Sequence, residues 1–228
     1  MRPGDILRDT WRLYRAHARH LITIAAMVYV PLSVISALLV ILGWPGVIAA
    51  NLLNLAAIFF VQGALVKAVE DVSDGRRDLG VMHTFGYAGQ RLVPLVAAGF
   101  LAAAGILVGL ALLVVPGLVL LTWWLVVSPV IVLEARSVLD AFTRSRSLVR
   151  GSSWPVFGVV VLTMAIVFAF TLVLGAVLGP LNSHVQAFLV TVLGNSVAAP
   201  FAAVAWTLTY FRLRALEGVR PQRVAVPA

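Results

Sequence analysis

This sequence predicts an all-α integral membrane protein with six transmembrane helices, and three observations predict it. Hydrophobic residues make up 61% of the 228-residue chain and charged residues only 11%, against about 45–50% and about 25% in a soluble domain. Six stretches approach the roughly 20 apolar residues needed to cross a bilayer. Every Lys and Arg falls in the same alternate set of gaps between those stretches. Too little polar material remains to coat a water-soluble globule, and the chain is too hydrophobic for disorder.

The expected organisation is a single membrane domain over residues 1–228. A cytoplasmic amphipathic helix (1–20) leads into a six-span bundle (21–211), and a cytoplasmic tail (212–228) follows. In the first segment, Ile6, Leu7, Trp11, Leu13, Tyr14 and Ala18 recur at helical spacing. Asp5, Arg8, Asp9, Arg12, Arg15 and Arg19 take the other side, so this helix is expected to lie in the inner interface. Its acidic residues and the long apolar run behind it do not fit a cleavable signal.

The spans follow in order: Leu21–Gly43, Val47–Lys67, Leu92–Val115, Leu118–Leu133, Trp154–Leu178 and Ala187–Phe211. The fourth is short and is expected to continue beyond Glu134. Trp44-Pro45-Gly46, Pro116-Gly117 and the segment 179–186 separate them on one side and carry no Asp, Glu, Lys or Arg. The 17 basic residues all lie on the other side, which predicts both termini inside under the positive-inside rule. Residues 137–150 form a second amphipathic segment, with Val138, Leu139, Phe142, Ser145, Leu148 and Val149 on its apolar side. Residues 83–87 form a weaker third. The pattern suggests one amphipathic segment plus two spans, repeated three times.

Composition narrows the chemistry. With no cysteine there is no disulfide, thiolate metal site or cysteine nucleophile. Sixteen of the 17 basic residues are Arg, alongside abundant Ala, Gly and Val. GC-rich coding produces that bias and favours a bacterial plasma (inner) membrane. The net charge of +8 is explained by an inner face beside anionic lipid, so no nucleic-acid partner is expected.

Candidate sites are few. Arg136, Arg144, Arg146 and Arg150 form a basic edge whose guanidinium forks suit lipid phosphate. Asn51, Asn54 and Asn195 are the amides that would line a polar path, although amides in spans more often join helices. Gly105/Gly109 and Gly175/Gly179 fit small-residue packing, and Pro31, Pro94, Pro129 and Pro200 are potential kinks. Glu70, Asp71, Asp74, Asp78 and His83 cluster in one loop, yet Asp74–Asp78 reads first as a turn, and no metal site is expected. His184 with Ser183 or Ser196 lacks a nucleophile elbow, so no catalytic residue is assigned. No cofactor is expected either, since no phosphate-cradling glycine loop occurs.

One segment carries a resemblance. Pro116-Gly117 is followed by Ser128-Pro129, Glu134, Ala141-Phe142, Ser145, Leu148-Val149-Arg150-Gly151 and Trp154. With the opening Trp11-Arg12-Leu13-Tyr14, it resembles the bacterial membrane-domain family named after the membrane portion of some glycerophosphoryl diester phosphodiesterases. That resemblance implies a helical membrane domain without the catalytic barrel, and it supplies no catalytic residues.

The expected function is a non-enzymatic accessory or scaffold protein. Its partners would be the phospholipid bilayer, anionic lipid headgroups or a membrane protein. The alternatives are a transporter for a small or lipidic substrate, and a membrane-embedded enzyme acting on phospholipid phosphate through residues 70–83.

Overall fold

A computed structural model describes residues 2–73 and 81–219, the side chains of Val81, His83, His184 and Val219 excepted. In chain order the helices are α1 (Pro3–Val40), α2 (Trp44–Ser73), α3 (Val81–Gln90), α4 (Leu92–Leu112) and α5 (Val114–Trp123). After these come α6 (Val127–Glu134), α7 (Val138–Val149), α8 (Ser153–Val177) and α9 (Ser183–Val219). No strand occurs among the described residues. Six units are long and apolar enough to span a bilayer: α1, α2, α4, α5 with α6, α8, and α9. The chain is therefore a multi-pass helical membrane protein, as only helices satisfy their own backbone in hydrocarbon.

The turns are tighter than the proline–glycine signals suggest. Trp44-Pro45-Gly46 is the first turn of α2, where proline loses no hydrogen bond. The reversal belongs to residues 41–43, with Gly43 at φ 74°. Pro116 likewise sits in the first turn of α5, leaving only the extended Leu113 between α4 and α5. The fourth span thus gains its length at the front, starting at Val114 rather than Leu118. It does not continue beyond Glu134, because Ala135 turns left-handed (φ 54°, ψ 34°) and ends the helix.

Two helices exceed any bilayer. α1 has 38 residues and α9 has 37, whereas about 20 suffice. The surplus of both carries charge, and Asp9 of α1 accepts a 2.8 Å hydrogen bond from Arg212 of α9. The amphipathic segment is continuous with the first span, separated by a break at His17 (φ −123°, ψ 19°) and not at Pro31.

One buried cluster joins α1, α2 and α9 through residues such as Leu21, Ile24, Val61, Leu65 and Val204. The other joins α4 to α9 through Leu95, Val126, Ile131, Phe142 and Tyr210. Small residues allow the closest approaches. A Cβ on Gly109 would lie 3.0 Å from the Gly117 backbone, and one on Gly105 would lie 2.6 Å from the Trp124 ring. Gly175 has nothing within 4 Å of that position, so only the first of the two small-residue motifs packs helices.

Gly99 is the tightest fit against a side chain, because a Cβ there would run into the Phe59 ring. Gly99→Ala is expected to cost about 1–3 kcal/mol through overpacking. Adding Phe59→Leu should recover more than half of that loss. Thermal unfolding in detergent of the two single variants and the double variant checks this.

Candidate functional site

The charged end of the bundle is built around α6 and α7. Glu134 closes α6, Ala135 reverses the chain, and Ser137 caps α7 by accepting from the Asp140 amide (3.4 Å). Periodicity then presents Ala141, Phe142, Ser145, Leu148 and Val149 on one buried face. Four of these were expected there, but protein covers that face where lipid was expected. Leu139, expected on the same side, is exposed.

The cover is specific. Residues 124–126 break the fourth span between α5 and α6. A broken helix leaves carbonyls that hydrocarbon cannot satisfy. The Ser145 hydroxyl donates to the Trp123 carbonyl at 2.6 Å, supplying a bond at that break. Phe142 meets Trp124 edge-on at 4.8 Å between centroids. Arg146 lies over the Trp123 ring at 4.3 Å, a cation–π contact.

Arg144 holds the charged end together. Its two terminal nitrogens fork onto both Glu217 oxygens at 2.6 and 2.7 Å, and its Nε donates to Glu134 at 3.1 Å. The Glu217 hydrogen bonds, with those to Glu134, outweigh desolvation and raise the guanidinium pKa above its ordinary value. Tyr210 of α9 donates to Glu134 at 3.0 Å, and the Arg136 Nε lies 3.6 Å from the same carboxylate. Helices α6, α7 and α9 are thereby tied by one ionic network.

The four sequence-predicted arginines therefore separate. Arg144 is committed to carboxylates, Arg146 to an indole, and Arg136 lies exposed beside Glu134. Arg150 ends α7, its amide on the Arg146 carbonyl. The amides separate too. Asn51 donates to Val47 on its own helix (2.8 Å). Asn54 donates to Ala50 (2.8 Å) and across to Ser36 of α1 (2.9 Å), joining the first hairpin. Asn195 is half-buried on α9, and no hydrogen bond joins it to Asn51 or Asn54. Glu70 and Asp71 hold the Lys67 ammonium at 2.6 and 3.1 Å. Asp74 and Asp78 lie outside the described residues, as do the side chains of His83 and His184.

Reading the sequence missed Tyr210 and Glu217, which complete the Arg144 network from α9. No local signal points to them, since Glu217 lies 73 residues from Arg144. A second feature was also unforeseen. A cavity of about 250 Å³ lies beside the broken span, lined by Phe59, Ala102, Leu121, Trp124, Ser128 and Trp206.

Fold and site together define a polytopic helical membrane protein whose charged end is closed by ion pairs between helices. No family profile, curated protein or solved structure matches the chain.

Three variants test these contacts. Arg144→Gln leaves the nearly buried Glu134 carboxylate with only Tyr210 and the more distant Arg136, and should cost about 2 kcal/mol or more. Glu217→Gln, at a half-exposed partner, should cost about 1 kcal/mol or less. Ser145→Ala should cost about 1–3 kcal/mol, since it leaves a partly buried carbonyl at the helix break without its donor. Unfolding midpoints in one detergent, compared across the three, give the ranking.

Proposed function

We propose that this chain is a non-catalytic accessory or scaffold protein of the bacterial plasma membrane, with both termini cytoplasmic. It engages anionic lipid headgroups through its charged end. The observation that carries this reading is how unevenly the charges are occupied. Asp9 is held by Arg212, while Glu134 and Glu217 are held by Arg144. Arg8, Arg12 and Arg15 lie exposed, while Arg136 lies beside Glu134. The end of the bundle is therefore structured by its carboxylates and presents its cations outward. Each such cation near an anionic leaflet adds about 1 kcal/mol of attraction.

The absence of cysteine makes orientation directly measurable. Single cysteines at Leu42, in the first hairpin turn, and at Gly218, near the end of α9, are labelled in intact cells with a membrane-impermeant maleimide. Labelling of the first and protection of the second is expected. The reverse pattern overturns the orientation. Retention of phosphatidylglycerol over phosphatidylcholine by the purified protein tests the lipid reading.

The cavity beside the broken span supports a second reading, a transport path for a small apolar or lipidic substrate. Discontinuous helices line such sites in transporters. That path would run past Trp124, Ser128 and Trp206 and would bypass the three asparagines. Filling it with Ala102→Trp should abolish uptake under this reading and leave lipid retention unchanged under the first.

A further inference from the structure

The N-terminal segment of α1 places a cationic surface directly beside an apolar groove. Its inner face, Ile6, Thr10 and Tyr14, is buried at spacings of four residues. Tyr14 donates its hydroxyl to the Val197 carbonyl of α9 at 3.1 Å and meets Phe201 edge-on at 5.8 Å. That carbonyl lies one residue beyond the one that Pro200 leaves without its usual amide donor. The segment is seated on the bundle, so its outer face has a defined position.

Arg8, Arg12 and Arg15 occupy that outer face at i, i+4 and i+7, where helical side chains are neighbours. With Trp11 and Ala16 they line one surface concavity. Trp11 is 57% exposed. Among the described residues Arg8 and Arg15 make no ion pair, and Arg12 reaches Asp9 only at 3.9 Å. Asp9 is drawn off by Arg212 at 2.8 Å. Asp5, the other acid of the segment, lies in the first helical turn, where the dipole favours it. Three guanidinium forks are left facing outward.

Trp11 also borders a second hollow. There Ile166, Val167 and Phe170 of α8 and Val197 and Phe201 of α9 form an entirely apolar groove. One tryptophan thus joins a cationic concavity to a hydrocarbon groove. We infer that this junction is a binding site for a single anionic phospholipid, with its phosphate on Arg8, Arg12 and Arg15 and an acyl chain along the α8–α9 groove. Charge complementarity selects the head, because guanidinium pairs with phosphate oxygens bidentately. The groove selects a chain-bearing molecule over a free phosphate ion. Tryptophan suits the boundary between the two, with an apolar ring and a polar edge. This inference rests on the lipid-engaging reading and assigns its lipid to α1, leaving the α7 arginines to structure.

The test measures phosphatidylglycerol bound to the full-length protein by native mass spectrometry. Wild type is compared with R8Q/R12Q/R15Q, with R136Q/R146Q, and with Val167→Trp, which fills the groove. One lipid per protein is expected in wild type and in R136Q/R146Q. About a hundredfold weaker binding is expected in the triple variant, from about 1 kcal/mol per arginine. Val167→Trp should lose the lipid while its arginines stay intact, and excess glycerol phosphate should not displace lipid from wild type. Melting temperatures should match wild type, because the three arginines are exposed. Undiminished lipid binding in the triple variant overturns the inference. Loss only in R136Q/R146Q also overturns it, while the scaffold reading survives. Displacement by glycerol phosphate reduces the site to a phosphate ion site and overturns the lipid assignment. If wild type holds no anionic lipid, both readings fall.

Discussion

Hydrocarbon cannot hydrogen-bond, and the rest of this structure follows from that. A backbone group or a charge left unpaired inside the bilayer costs several kcal/mol. The chain answers by helix formation along its spans and by keeping every Asp, Glu, Lys and Arg out of one alternate set of turns. At the break in the fourth span a side chain supplies a partner. The break at residues 124–126 receives the Ser145 hydroxyl from α7. The polar amide of Asn54 is satisfied by its own helix and by Ser36 on its neighbour.

The same constraint governs the charged end. Glu134 stands at the very end of a span, where a bare carboxylate would be costly. It is met by the Arg144 Nε, the Tyr210 hydroxyl and, more distantly, Arg136. Arg144 reaches on to Glu217, so one guanidinium links the ends of α6 and α9 through α7. A planar fork with donors along three edges makes this double capture possible, and lysine could not reproduce it. With Asp9 held by Arg212 as well, the carboxylates organise the bundle and leave arginines for other partners.

Amphipathicity has a different meaning in this setting. The apolar side of α7 fills the broken fourth span, and the inner side of the α1 segment seats on α9. A hydrophobic stripe beside a membrane states that a surface avoids water. Bundle and lipid satisfy that demand equally, and the choice between them depends on whether shape and hydrogen bonds match. Ser145 to Trp123 and Tyr14 to Val197 supply the match here. The faces left over, Trp11 with its flanking arginines above all, meet the surroundings.

The sequence by itself determined the helical membrane class, the six spans and the one-sided distribution of charge, because each depends on local composition and run length. It also determined most of the buried face of α7, Phe142, Ser145, Leu148 and Val149, because helical period is local. Span ends were less legible: the start of the fourth span, its stop at Ala135 and the break at His17 each lie in the torsions of a single residue, which composition and run length do not specify. Tertiary structure alone decided which arginines are structural. Arg144 and Arg8 look alike in a sequence, and Glu217 lies 73 residues from the guanidinium that it holds. Pairing between distant charges is set by how helices pack, and no local pattern records it.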